Sequence, residues 1–176
     1  MRQRVGSPML MWTVYGLVLI LRVVTISWAA VKLPDPVASS FGASGAATGW
    51  SSRSAYLAFD IGVSALMVLG MPMLSRLANG SGAGVNIPNR DYWFRPENRA
   101  MLRRLLTGDL VFIACATGLL LTWVTVSVVL ANQQAVPAMG SWSMLVVGAF
   151  VVVVLGRTVW MKVSRYAVPM GASAGR

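Results

Sequence analysis

The sequence predicts an all-α membrane protein with four transmembrane helices, both termini cytoplasmic, and a short interfacial helix before the third span. Three observations carry this. Of 176 residues, 56% are hydrophobic and only 11% are charged, where a soluble domain has about 25%. Four apolar runs, each of roughly 20 residues, are too long for core strands. The basic residues gather at the ends of those runs, and mostly on one side of them.

The first run spans about 9–31 and is interrupted only by Arg22. Its apolar stretch is too long for a signal peptide and carries that arginine, so a retained helix is expected. The second run covers about 54–77, the third about 105–131 and the fourth about 142–161. At about 1.5 Å per residue each can cross a hydrocarbon core of roughly 30 Å. Residues 1–176 thus read as one four-helix transmembrane domain.

Of the 15 Lys and Arg residues, twelve lie at the N-terminus, in the middle loop or at the C-terminal end. Lys32 and Arg53 alone flank the outer loop. That asymmetry places both termini and the middle loop in the cytoplasm, with a bacterial inner membrane as the expected location. Six of the seven tryptophans lie near span ends, as interfacial anchors do. Trp123 is deeper and is expected to pack between helices.

The outer loop, 32–53, is rich in Pro and Gly and is expected to be turn-rich and non-helical. It contains Leu33-Pro34-Asp35, then Phe41-Gly42 with Gly45, then Gly49-Trp50-Ser51-Ser52-Arg53. This pattern between two apolar helices resembles a bacterial membrane domain of unknown function, found in the immunity protein family of the sporulation-delaying killing-factor system. The family motif has a His before the Phe, where this chain has Ser40. The segment Asn86-Ile87-Pro88-Asn89-Arg90-Asp91-Tyr92-Trp93 is similar to a cytoplasmic loop of multi-span members. The resemblance covers roughly residues 10–110 and implies a small polytopic bacterial membrane protein.

The cytoplasmic basic loop, 78–104, opens with the flexible connector 79–84. Pro96 suits the first turn of a helix, with Glu97 near its positive end. Trp93 and Phe94 precede it, and Arg99, Arg103 and Arg104 share an arc. Together these residues predict an interfacial helix lying on anionic lipid.

Ionisable groups at membrane depth need partners. Arg22 and Asp60 lie roughly 14 Å and 9 Å from the outer ends of their helices, at about 1.5 Å per residue. Side-chain reach covers the difference, so they are expected to pair. Asp109 and Arg157 lie at similar depths near the inner ends of the third and fourth spans, and form the second expected pair. Arg103 and Arg104 are competitors for Asp109. Structural pairing is favoured over a proton relay, because Arg does not deprotonate. Ala58/Gly62 and Ala114/Gly118 are small residues four apart, which let helices approach closely. The fourth span is valine-rich and reads as facing lipid or a partner.

The chain has no His and a single Cys115. That removes His-ligated zinc or haem and the Ser-His-Asp triad. With five carboxylates, no enzyme, catalytic residue or metal site is expected. No cofactor is predicted, although a lipid or quinone would fit its grooves. Expected partners are membrane lipids and other integral membrane subunits, not nucleic acid. The favoured function is a non-catalytic accessory or scaffolding subunit of a larger respiratory, photosynthetic or transport complex. A small sensor or toxin-immunity protein is the alternative, and a small transporter the second.

Overall fold

A computed structural model describes residues 8–74, 87–140 and 142–167. Arg2, Arg4, the end of the second run beyond Leu74, the connector 79–84, Asn86 and the tail beyond Ala167 lie outside the described residues.

The chain is mainly helical, and four helices are long and apolar enough to cross a membrane. Helix α1 is Pro8–Lys32. It ends where Pro34 and Pro36 remove donors and bias the preceding residues toward extended backbone. Two strands follow, β1 (Val37–Phe41) and β2 (Ala47–Ser51), paired antiparallel with Val37 opposite Ser51. The outer loop is therefore a β-hairpin, which corrects an all-α reading. Its turn closes through Gly45 at φ 83°, a left-handed conformation that suits glycine. A Cβ there would collide with the Met139 carbonyl oxygen. The amide of Met139 donates to the Gly45 carbonyl at 2.8 Å, so the hairpin is clipped to the loop that follows the third span.

Helix α2 runs Arg53–Leu74. The Ser52 hydroxyl accepts from the Ala55 amide at 3.2 Å and caps its start. The helix widens into a π-helical stretch at Ala65–Leu69, just before Pro72, whose ring nitrogen has no hydrogen to offer the Val68 carbonyl. The Tyr15 hydroxyl donates to that carbonyl instead, at 3.1 Å. This satisfies a backbone group that no water would reach inside a bilayer.

A four-residue helix, α3 (Arg90–Trp93), precedes α4 (Arg99–Asn132). Pro96 lies in the turn between them rather than in a helical first turn. The Asn98 side chain donates to the Tyr92 carbonyl at 2.9 Å and holds that turn. The arginine arc belongs to α4 itself and not to a separate surface helix. At 34 residues, α4 is about 51 Å long, well beyond a roughly 30 Å hydrocarbon core. Helix α5 (Trp142–Trp160) continues through a π-helical turn, Met161–Arg165.

Helix α4 is the mast of the bundle and touches α1, α2, α5 and the hairpin. At the hairpin end, Ala29, Leu33, Val37, Val128 and Val129 form one core. The Asn132 side chain joins hairpin to mast, accepting from the Ala38 amide at 2.8 Å and donating to its carbonyl at 3.0 Å. At the opposite, basic end, Trp93, Leu102, Leu105 and Tyr166 form a second core. Trp123 is 38% exposed on the outside of α4, not wedged between helices.

The two small-residue pairs differ. Ala114 is buried, and a Cβ on Gly118 would sit 2.5 Å from Val18 Cγ1 and 3.6 Å from Val68 Cγ2. This pair lets α1 and α2 close on the mast. Ala58 and Gly62 are exposed, and nothing lies within 4 Å of a Cβ on Gly62. Overpacking the first site should cost about 1–3 kcal/mol. Gly118→Val is therefore expected to lower the melting temperature in detergent, and Gly62→Val to leave it unchanged. Equal melting of the two variants would contradict this packing.

Candidate functional site

Two polar networks sit inside the helical bundle. Arg22 from α1 is 3% exposed. Its Nη2 donates to Asp60 Oδ1 and to Ser64 Oγ, both at 2.6 Å. Its Nη1 donates to Thr125 Oγ1 at 3.1 Å, and that hydroxyl donates to Asp60 Oδ2 at 2.9 Å. One network thus ties α1, α2 and α4 together. Each carboxylate oxygen has a donor, which is what allows an ion pair to persist away from water. Arg22 Nε has no partner among the described residues.

The second network centres on Asp109, which is fully buried in α4. Arg157 Nη2 donates to its Oδ1. Its Oδ2 accepts from the Tyr166 hydroxyl at 2.9 Å and lies 3.0 Å from Arg165 Nε. Burial, and then the Asp109 carboxylate, push the Tyr166 hydroxyl well above the ordinary phenol range, so it remains a proton donor. The Tyr166 carbonyl accepts from Trp93 Nε1 at 3.1 Å and from Asn89 Nδ2 at 3.0 Å. The Arg157 guanidinium lies 4.9 Å from the Phe112 ring centre and 4.6 Å from that of Trp160, which orients its plane.

Arg22 and Asp60 stand together, as do Asp109 and Arg157. Arg165 shares Asp109 with Arg157, in the place expected of Arg103 or Arg104. Ser64, Thr125, Arg165 and Tyr166 join the networks without being predicted from the sequence. Ser64 had a signal, since it follows Asp60 by four residues on one helix face. Arg165 also had one, two turns beyond Arg157. Thr125 and Tyr166 had none, because their roles depend on contacts between distant segments.

The expected lipid-facing set divides. Trp93 is 4% exposed and is a core residue rather than a surface anchor, because its ring packs edge-on against Tyr166. Phe94 is half-buried against the same core. Arg99 is exposed and donates from Nε to the Phe94 carbonyl at 3.0 Å. Arg103 and Arg104 line a groove of about 890 Å³ at the basic end, together with Arg157 and Arg165. Its other wall is apolar and comes from α1 and α4, including Trp12, Val14, Phe112 and Cys115. Among the described residues no group of His, Cys, Asp and Glu could hold a metal ion.

Comparison with protein-family models, curated proteins and solved structures returned no match to this chain.

Asp60→Asn keeps the shape of the side chain but leaves Arg22 without an anion. It should lower stability by about 3–5 kcal/mol, as should Asp109→Asn. An apolar replacement of both partners, Arg22→Met with Asp60→Leu, should recover most of that loss. Thermal unfolding in detergent reads all three. Wild-type melting of Asp60→Asn would show that the charge pair does not hold the helices.

Proposed function

We propose that this protein is a non-catalytic integral membrane subunit that packs against a larger membrane assembly. The observation that carries this reading is the unpartnered small-residue face of α2. Ala58 and Gly62 are exposed over open space, whereas the equivalent Ala114/Gly118 pair is closed by two helices. Small residues gain most from close approach of another helix, because lipid chains provide no hydrophobic drive to cover them. Helix α5 supports the same reading, since none of the most apolar stretch of its span is buried within the protein.

Asp60 and Asp109 are both engaged by arginine and hydroxyl donors, which favours a structural role for them over catalysis or proton transfer. The arginine-rich end is assigned to the cytoplasm and the hairpin to the outer face, by the distribution of Lys and Arg. The location that follows is a bacterial inner membrane.

A second reading, a toxin-immunity or sensor protein, is favoured by one feature. Phe41, Gly49, Trp50 and Ser51, part of the pattern that resembles the killing-factor immunity family, lie in β1 and β2, and Trp50 stands 55% exposed on that hairpin. An externally presented aromatic is a reasonable contact for a peptide toxin. Unchanged survival of a deletion strain exposed to toxin would remove this reading.

The subunit reading predicts stoichiometric co-purification with other integral membrane chains, measured by sizing and mass spectrometry after mild detergent extraction. Ala58→Leu with Gly62→Leu should release those chains while the melting temperature of the isolated protein stays the same. Migration of the wild type alone, near its own mass, would refute it.

A further inference from the structure

The groove at the basic end is a second feature, independent of the small-residue face. We propose that it is a binding site for an anionic phospholipid, with the phosphate among Arg103, Arg104, Arg157 and Arg165 and an acyl chain along α1 and α4.

The first argument is charge. Among the described residues, four guanidiniums line the groove and no Asp or Glu does. Asp109 lies behind the wall and is fully buried, where it pairs with Arg157 and Arg165. The groove therefore holds excess positive charge beside a low-dielectric wall, where an anion is attracted more strongly than in water. Guanidinium forks match phosphate oxygens in geometry.

The second argument is an unsatisfied donor. The buried Nε of Arg157 has no hydrogen-bond partner among the described residues. Phe112 and Trp160 hold its guanidinium plane in place. A phosphate oxygen would supply the missing acceptor once a shift of the side chain opens this buried donor to the groove.

The third argument is shape. The apolar wall runs from Leu10, Trp12 and Val14 on α1 to Val111, Phe112 and Cys115 on α4. From Arg104 to Cys115 the helix rises about 17 Å. An acyl chain lies naturally against such a wall, with its headgroup at the arginine end. The volume of about 890 Å³ is within the range of ligand sites.

Other occupants fit less well. Inorganic phosphate would use the arginine end and leave the apolar wall unfilled. A neutral quinone head would bring no charge to match the arginines that line the groove.

The test uses the full chain in a non-ionic detergent, titrated with phosphatidylglycerol or with phosphatidylcholine of identical chains, and read by native mass spectrometry. Phosphatidylglycerol is expected to be retained about tenfold more than phosphatidylcholine, and Arg103→Gln with Arg104→Gln to reduce its retention by about tenfold. Arg95→Gln, an exposed basic position outside the groove, serves as the control and should retain lipid normally. Val14→Trp fills the apolar wall without changing charge and should also lower retention. Inorganic phosphate added in excess should not displace the lipid. Equal retention of the two lipids would overturn the site, as would normal retention in Val14→Trp. Displacement by inorganic phosphate would overturn the lipid assignment and leave an anion site.

Discussion

A guanidinium placed in the middle of an apolar span has to find an anion, because the surrounding hydrocarbon offers it no solvation. Arg22 is that group here, and the arrangement of three helices follows from how it is answered. Asp60 brings the charge from α2, while Thr125 brings a hydroxyl from α4 that both accepts from the arginine and donates to the carboxylate. Ser64 takes another guanidinium hydrogen one turn along α2. The register of α1, α2 and α4 is thereby set at one level. The close approach at Gly118 is possible because the residue facing Val18 has no side chain.

The basic end solves a related problem with different parts. One buried carboxylate, Asp109, is shared by Arg157 and Arg165, and the Tyr166 hydroxyl completes its shell. The same tyrosine passes its carbonyl to Trp93 and Asn89, so the end of α5 is tied to the segment that leads into α4. Helix α5 has little other packing against the bundle. Its attachment is therefore concentrated at this polar cluster, and its valine-rich face is left for lipid or for another chain. The local excess of arginine over carboxylate is also what makes the adjoining groove attractive to an anion.

Much of the chemistry was legible along the chain. Arg22, Asp60, Asp109 and Arg157 are conspicuous because a charge inside an apolar run is rare and demands a partner. Depth arithmetic then pairs them, since helices rise by a constant amount per residue. Trp93 misled because an aromatic beside arginines has the composition of a membrane anchor. Only the return of Tyr166 to that place makes it a core residue. Pro96 likewise suits a helix start in the sequence, but the turn braced by Asn98 postpones the helix to Arg99.

Span number, the sidedness of the arginines and the absence of His chemistry are properties of the sequence by itself. They depend on composition and hydropathy, which add up residue by residue. The β-hairpin, the third and fourth members of each polar network and the groove between α1, α4 and α5 were decided only by the tertiary structure. Arg22 and Thr125 are 103 residues apart, and Asp109 and Tyr166 are 57 apart. Side chains so distant meet only after the helices have packed, and hydrogen-bond geometry at those meetings is not encoded in any local pattern.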